Sequence, residues 1–334
     1  MGLHVQHGKL VAPVRIFVFW VLLLLLSPVF LIGYLPLVAI GVPRARKHGI
    51  AATAVPPLCA RWLLHNTGQR PDPAGYALLL KLAILPMFTI RLCLFPIVTA
   101  MRLTGYQPPF VRYPIDSPNN FWELVGQRNS FFDNAVEEAT HTVSQVVHLG
   151  AGFDTRTHRI PSAIKIFEVD RPAIQRVKRQ SLDRAQIAQD HIHYVAVDFG
   201  DPDWWSALEG AGYDASSPTL FLWEGVSYYL QEEDVLRMLK GVATRSAPSS
   251  RIAFDYARKA LLHDAGGAVM AVVRVILKTT REPWTWGLDT TAPARKPVDA
   301  LVAQCGLRVQ RFSVYGNEGE KRPPPGGLVV AEVA

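Results

Sequence analysis

Short apolar segments that end in a glycine or an acidic residue constrain the fold of this chain more than any other feature. Five strands are predicted from them: Val146–Leu149, Ile166–Val169, His193–Val197, Leu220–Trp223 and Arg251–Tyr256. Polar stretches of helical length lie between and around them, near residues 120–140, 171–187, 202–210, 231–246 and 295–304. This alternation predicts a doubly wound α/β domain with a mostly parallel sheet. At the end of the chain, Leu307–Tyr315 and Gly327–Val333 alternate like an antiparallel strand pair.

The first strand runs directly into Gly150-Ala151-Gly152. Glycines at this point allow a sharp turn and a close approach of the backbone to a ligand. A dinucleotide site would need a third small residue three places after Gly152, where Thr155 stands instead. Asp154 would also put a negative charge beside a pyrophosphate. The loop therefore favours a ligand without phosphates, and S-adenosylmethionine is one.

Acidic residues end the next three strands. Asp170 can accept both ribose hydroxyls of an adenosine, and Asp198-Phe199 can hold the adenine amino group and cover its ring. Capping of the following helix is an alternative or additional role for both aspartates. Glu224 follows a fully apolar strand, where it could bind a ligand ammonium or orient an acceptor. Because the carboxyl ends of parallel strands meet at one edge, these residues are expected to line one crevice.

These motifs resemble the leucine carboxyl methyltransferase family and its bacterial S-adenosylmethionine-dependent relatives. The resemblance covers roughly residues 110–334, and its matching segments are Arg128–Asp133, Leu149–Arg156, Glu168–Asp170, Asp198-Phe199 and Glu224–Leu230. It implies a class I methyltransferase domain with a Rossmann-like sheet of seven strands and an antiparallel C-terminal pair. It also implies S-adenosyl-L-methionine as the cofactor.

The resemblance further implies a role for each site residue. Arg128 would pair with the methionine carboxylate, and Glu224 would lie near the methionine amine. Gly150, Ala151 and Gly152 would lie under the donor, Asp170 on its ribose, and Asp198-Phe199 around its adenine. Tyr229 would face the acceptor pocket, and together with Glu224 it is the catalytic candidate. Gly200 stands where relatives that methylate a protein C-terminus have an arginine, which argues against such an acceptor.

The predicted reaction is O-methylation of a carboxylate or a hydroxyl on a small apolar or membrane-associated acceptor. A carboxylate needs no base, whereas a hydroxyl would need one, for which His158, His263 and Tyr229 are the candidates. An NAD-dependent oxidoreductase is disfavoured by the loop after the first strand, and a non-catalytic scaffold by the intact set of charged site residues. Three scattered cysteines predict neither a disulfide framework nor a zinc site, and no metal cluster is expected.

The N-terminal hundred residues are apolar and predict membrane association. Residues 16–40 carry no charge and are long enough to span a bilayer. Pro28, Gly33 and Pro36 leave two topologies open, a proline-kinked hairpin or a single span. Residues 76–100 contain charges and prolines and predict an interfacial helix pair or a second hairpin.

We therefore divide the chain into a membrane-associated helical region, residues 1–105, and a methyltransferase domain, residues 106–334. The net charge of +7 and the basic residues beside the apolar runs favour an anionic membrane over nucleic acid as a partner, with the catalytic domain facing the cytoplasm. Residues 258–293 predict a lid. Its apolar stretch 266–277, with Trp284 and Trp286 as walls, is expected to line a pocket for a lipid-like acceptor.

Overall fold

The computed structural model describes residues 12–50, 52–115, 123–263, 282–290, 293–318 and 323–333. Seven strands form one sheet: β1 Gln145–Leu149, β2 Lys165–Asp170, β3 Ile192–Ala196, β4 Thr219–Trp223, β5 Arg251–Ala257, β6 Leu307–Val314 and β7 Gly326–Val333. Their order across the sheet is β3-β2-β1-β4-β5-β7-β6. Strands β1 to β5 pair in parallel, and β7 pairs antiparallel with both β5 and β6. This confirms the predicted class I methyltransferase fold.

Five of the helices that flank the sheet lie where the polar stretches predicted them, and a short helix after β5 was not predicted. In the C-terminal two thirds of the chain they are α6 Leu124–Ala139, α7 Pro172–Arg184, α8 Trp204–Gly210, α9 Glu232–Thr244, α10 Ala260–His263 and α11 Arg295–Gln304. All five residues of β1 and of β4 are buried, because helices cover both faces of a parallel sheet. One core packs α8, α9 and α11 on one face, and a second packs α6 on the other.

The sheet places the site at the carboxyl ends of its central strands. β1 pairs with β2 on one side and with β4 on the other, so the chain order reverses at β1. At such a reversal the loops leave the sheet in opposite directions and open a crevice above the strand ends. The turn after β1 and the loops after β2, β3 and β4 all begin at this edge.

Five further helices precede this domain: α1 Ala12–Pro36, α2 Val42–Lys47, α3 Val55–Asn66, α4 Pro73–Lys81 and α5 Met87–Thr104. The hairpin predicted within residues 16–40 is wrong, because α1 runs straight through Pro28 and Gly33. Pro28 has no N–H to offer the carbonyl of Leu24 four residues earlier, and the Ser27 hydroxyl donates to that carbonyl instead, at 2.7 Å. The helical path continues through residues 37–41 into α2.

Residues 76–100 form parts of two helices, α4 and α5, separated at residues 82–86. A helix pair was predicted there, and its interfacial position stays a prediction. The segments Ala12–Lys47 and Met87–Thr104 are long and apolar enough to cross a membrane, by length and composition only.

The N-terminal helices share a core with the methyltransferase fold. Leu58 of α3, Leu78 of α4 and Ile90 of α5 belong to one buried cluster with Ile174 and Val177 of α7. The division of the chain at residue 105 into a membrane-associated region and a methyltransferase domain stays a prediction. In the structure, this shared core packs the two regions against each other. The apolar stretch 266–277 of the predicted lid lies outside the described residues.

Candidate active site

The turn after β1 holds the predicted glycines in the backbone conformation that only glycine adopts easily. Gly150 has φ of 69° and Gly152 has φ of 50°. A Cβ on Gly150 would lie 2.3 Å from Val226 Cγ2, so this glycine lets the loop after β4 approach the turn. A Cβ on Gly152 would make only ordinary van der Waals contacts, the nearest at 3.9 Å, so the positive φ and not crowding is what favours glycine there. Ala151, between them, is buried.

Asp170, at the end of β2, contacts this turn directly. Its Oδ2 accepts the Gly152 N–H at 2.7 Å, and its Oδ1 accepts the Arg171 N–H at 2.7 Å. Burial raises the pKa of the Asp170 carboxyl, and these two donors oppose the shift. Helix α7 begins after Arg171 without a side-chain cap, so the capping role considered for Asp170 is not observed.

Asp198 and Phe199 follow β3 beside Asp170. The Val197 N–H donates to the Asp170 carbonyl at 3.0 Å, which places the two strand ends side by side. Asp198 is exposed and accepts the Gly200 N–H at 3.0 Å, so it stabilises its own loop rather than capping α8. Phe199 is half-buried, with its ring edge-on to Trp204 at 5.5 Å.

Glu224, at the end of β4, lies among three arginines. Its Oε1 accepts Arg128 Nε at 2.9 Å, and its Oε2 accepts Arg156 Nη1 at 2.9 Å. Arg61 Nη2 lies 3.6 Å from Oε1. The predicted neighbours Arg128 and Glu224 are thus brought together, although 96 residues separate them in sequence.

The arginines keep Glu224 ionised. Burial acts to raise its pKa, but the charges of Arg128, Arg156 and Arg61 outweigh burial and lower it. A carboxylate held in this state is a weak base. The arrangement therefore favours an electrostatic role for Glu224 over proton abstraction.

Asp255 of β5 forms an ion pair with Arg128 and was missed by the sequence analysis. It is fully buried, with Oδ1 accepting the Gly225 N–H at 2.7 Å and Oδ2 accepting the Tyr315 hydroxyl at 3.0 Å. Arg128 Nε lies 3.5 Å from Oδ2. The side chain of Arg128 remains 20% exposed, so its charge can reach a ligand in the crevice.

Helix α3 and the segment after it contribute two further arginines that the sequence analysis missed. Arg61 Nη2 donates to Asp154 Oδ2 at 2.9 Å, and Arg70 makes a two-pronged contact with Asp133 at 2.5 and 2.7 Å. Arg156 bridges Asp133, Asp154 and Glu224. These ion pairs tie the N-terminal helices to the edge of the sheet that carries the predicted site.

Tyr229 lies in a short 3₁₀ turn, Ser227–Tyr229, after the Glu224 loop. Burial raises the pKa of its hydroxyl, so the hydroxyl stays protonated near neutral pH. Thr53, from the N-terminal region, lies within hydrogen-bonding reach of the Tyr229 hydroxyl. The Thr53 N–H and hydroxyl both donate to the Glu282 carboxylate. Two segments distant in sequence therefore meet beside Tyr229.

The two tryptophans predicted as pocket walls differ in position. Trp286 is 3% exposed and belongs to the core beneath the sheet, so its role is packing and the wall prediction is wrong for it. Trp284 is half-buried, with its ring 4.9 Å from that of Tyr228. Trp284 therefore remains a candidate wall of the acceptor side.

Of the histidines considered as bases, His158 lies away from the crevice. Its ring is 5.3 Å from that of His191, which precedes β3 at the amino edge of the sheet. Burial lowers the pKa of His158 to about 4. The side chain of His263 lies outside the described residues.

Sequence comparison finds matches among methyltransferases. Residues 106–243 match the leucine carboxyl methyltransferase family. A provisionally assigned S-adenosyl-L-methionine-dependent methyltransferase of Streptomyces coelicolor is 40% identical over 216 residues, 61% of this chain and 72% of that protein. Another, from Mycobacteroides abscessus, is 37% identical over 132 residues, 38% of this chain and 42% of the relative.

A solved structure also shows a distant resemblance. A DUF574 family protein of Streptomyces avermitilis aligns with a TM-score of 0.47 and 14% identity, over 82% of this chain and 97% of that one. A likeness at this level adds nothing to the assignment.

Proposed function

Because the chain belongs to the S-adenosylmethionine-dependent methyltransferases related to leucine carboxyl methyltransferases, we propose that it methylates an oxygen of a small apolar or membrane-associated acceptor. One observation carries the proposal. The pair formed by Gly152 and Asp170 and the pair formed by Arg128 and Glu224 lie at the same edge of the sheet, although they come from four different elements.

The residues present fit S-adenosylmethionine. Gly152 presents backbone without a side chain to a ligand, and the half-buried Asp170 carboxylate next to it can accept ribose hydroxyls. Arg128 offers a partly exposed cation for the methionine carboxylate, and Glu224 an anion for the amine. When bound, the cofactor supplies an electrophilic methyl group on a sulfonium.

The chain's own residues act mainly by position and charge. Asp255 and Glu224 fix the guanidinium of Arg128, so its orientation is set before a ligand arrives. Asp170 is fixed in the same way by two backbone N–H groups. Preorganised groups of this kind would hold the donor in place without rearrangement, and a fixed donor helps to meet the main requirement of a methyl displacement, which is that donor and acceptor lie in line.

The described residues favour a carboxylate acceptor over a hydroxyl. A hydroxyl must lose a proton, but Glu224 is held ionised among arginines and Tyr229 keeps its own proton. The His158 ring packs against that of His191, before β3, rather than in the crevice. A protonated Tyr229 can instead donate a hydrogen bond to an acceptor carboxylate, which needs no base.

A membrane-associated acceptor is part of the proposal. It is supported by the two apolar helices α1 and α5 and by the contact of Thr53 with Glu282 beside Tyr229. Through this contact the N-terminal region forms part of the acceptor side. The proposal includes a catalytic domain that faces the cytoplasm.

The test begins with ligand binding. Thermal unfolding of the full chain is followed with S-adenosylmethionine, S-adenosylhomocysteine and NAD in turn, and only the first two should raise the midpoint. Methyl transfer from labelled donor to a cell lipid extract is then measured, with a water-soluble extract as the matched control. Stabilisation by NAD alone would refute the cofactor assignment, and transfer only into the water-soluble extract would refute the acceptor class.

A further inference from the structure

Helices α1 and α5 form a two-helix layer on the outside of the molecule. In α1 only Phe19 and Gly33 are buried. The large apolar side chains exposed on the layer include Phe17, Trp20, Leu24, Leu25, Ile32 and Leu35 of α1, and Phe88, Phe95 and Leu103 of α5. An apolar surface of this extent marks a binding face rather than ordinary solvent contact.

The two helices run antiparallel and touch at both ends. A Cβ on Gly33 would lie 2.7 Å from Leu92 Cβ and from the Thr89 carbonyl, so the backbones approach closely near the start of α5. At the other end the ring of Phe19 lies 5.1 Å from that of Tyr106, just past the end of α5. Helix α1 therefore follows α5 along its whole length.

The layer lies along the body of the protein rather than projecting from it. Near its start, α5 places Ile90 in a core with Leu58 and Leu78. Near its end, it places Met101 in a core with Leu63 and Leu64. Eighteen residues of helix extend about 27 Å, so the body accompanies α5 over nearly the thickness of a bilayer core.

This packing opposes a transmembrane path. If α5 crossed a bilayer, α3 would enter the hydrocarbon with it, and α3 carries Arg61, which pairs with Asp154 of the sheet edge. The buried ion pairs and the polar surface around them would then lie at membrane depth, where charged groups are costly. A layer in the plane of the interface avoids that cost.

The charge of the chain is divided unequally. Residues 1–115 contain eleven lysines and arginines and a single acid, Asp72, which is buried. Residues 116–334 contain 24 basic and 27 acidic residues. The positive excess therefore belongs to the part of the chain that forms the layer, and Arg44, Lys47, Arg91 and Arg102 are exposed there. Exposed basic residues beside an apolar face are attracted to anionic lipid headgroups.

We propose that the layer of α1 and α5 docks in the plane of an anionic bilayer, with its outer side chains at the boundary of headgroups and acyl chains. The occupant of this face is one lipid leaflet, and neither helix crosses it. Thr53, six residues after Lys47, reaches Glu282 beside Tyr229, so docking brings the acceptor side of the active site near the leaflet. The docking itself needs no methyl donor and is tested without one.

The depth of α1 distinguishes docking from spanning. Spin labels are placed at Phe17→Cys, Leu24→Cys and Leu35→Cys, one at a time, in a full-length chain whose three native cysteines are replaced by serine. These positions share one helix face, and the outer two are about 27 Å apart along the axis. The chain is bound to vesicles of phosphatidylcholine with about 30% phosphatidylglycerol.

In-plane docking predicts that all three labels lie at one depth, about 5–10 Å below the headgroups. A profile that passes through the bilayer centre would show a span and overturn the proposal. Labels that are shielded from lipid and couple magnetically to the same label on another molecule would show that a second copy covers the face. That result would also overturn the proposal. Circular dichroism of each labelled chain confirms that it is folded.

Charge reversal tests the choice of an anionic leaflet. Arg44→Glu with Lys47→Glu should weaken flotation with the anionic vesicles at least about 20-fold, since each basic residue near such a surface contributes about fivefold. The matched control, Arg295→Glu with Lys296→Glu, changes two exposed residues of α11 and should have little effect. Equal losses in both variants, or none in either, would refute the anionic leaflet as the partner.

Discussion

Replacement of Arg61 by methionine should destabilise the protein strongly, although this arginine lies in the N-terminal helices. Its guanidinium is 5% exposed and contacts the carboxylates of Asp154 and Glu224 at 2.9 and 3.6 Å. Methionine keeps much of the side-chain volume but leaves both acids with one cation fewer. The fold would lose a charge partner at the point where the N-terminal helices meet the sheet.

The cost follows from the burial of the two acids. Asp154 and Glu224 are 4% and 5% exposed, so water cannot replace the lost cation. Removing one partner of a buried ion pair costs about 3–5 kcal/mol. Arg156 still contacts both acids and offsets part of this, so we expect a loss of about 2–4 kcal/mol.

Urea unfolding at neutral pH measures the loss. Arg295→Met is the matched control, because Arg295 is 56% exposed, and it should change the free energy of unfolding by less than about 0.5 kcal/mol. Arg61→Met and Asp154→Asn should be non-additive by about 0.5–3 kcal/mol in a double-mutant cycle. A loss under about 1 kcal/mol, or strict additivity, would refute the docking of α3 through this ion pair.

The same variant has a predictable pH dependence. Burial acts to raise the pKa of Asp154 and of Glu224, but the neighbouring arginines lower both below their ordinary values of about 4. A lowered folded pKa contributes stability above the unfolded pKa and loses it as the pH falls through the folded one. The difference between the wild type and Arg61→Met should therefore shrink below a pH of about 4.

Three further outcomes are expected. Gly150→Ala should lower the free energy of unfolding by about 2–4 kcal/mol, from the positive φ and the clash of its new Cβ, whereas Gly210→Ala, with no atom near its Cβ, should not lower it. Burial raises the pKa of Asp170, so as the pH is lowered the affinity for S-adenosylhomocysteine should begin to fall at a pH above the ordinary aspartate range. Asp170→Asn should remove this pH dependence, and an affinity that falls only in the ordinary aspartate range would contradict the prediction. Tyr229→Phe should lower kcat/KM for the acceptor about 10- to 100-fold and leave donor affinity within about twofold, and equal losses in both would contradict its place on the acceptor side.

The sheet was predictable because buried parallel strands are nearly continuous apolar runs. β4 was predicted at Leu220–Trp223 and is observed at Thr219–Trp223. Its terminal acid, Glu224, stood out because a glutamate is rarely buried as a simple core residue, so a charge directly after such a run indicates a functional or paired group. The acids of neighbouring strands then had to share an edge, which is why their proximity could be predicted without contacts.

Asp255 was missed although the same signal was present. It follows Phe254 near the end of β5, but the predicted strand continued to Tyr256, so the acid was placed inside the strand. The strand does continue, and the carboxylate is fully buried there. Its partners Arg128, Gly225 and Tyr315 satisfy it, and no local pattern shows partners so distant in sequence.

The role of α3 was missed for a related reason. Arg61 and Arg70 lie between the two apolar runs, residues 16–40 and 76–100, in a stretch that carries none of the motifs from which the site was predicted. Arg61 is 93 residues from Asp154, and Arg70 is 63 residues from Asp133. Periodicity shows which face of a helix is apolar, but it does not show which distant acid meets a cation on that helix.

The most direct test of the account compares two ligands that differ only in the amino-acid part. Calorimetry measures the binding of S-adenosylhomocysteine and of methylthioadenosine, which lacks the carboxylate and the amine, to the wild type, Arg128→Gln and Asp170→Asn. Exposed Asp190→Asn is the control. Arg128→Gln should weaken only S-adenosylhomocysteine, by at least about tenfold, and Asp170→Asn should weaken both ligands. Unchanged affinity in both variants, or equal losses of both ligands in Arg128→Gln, would contradict a donor held between the two residues.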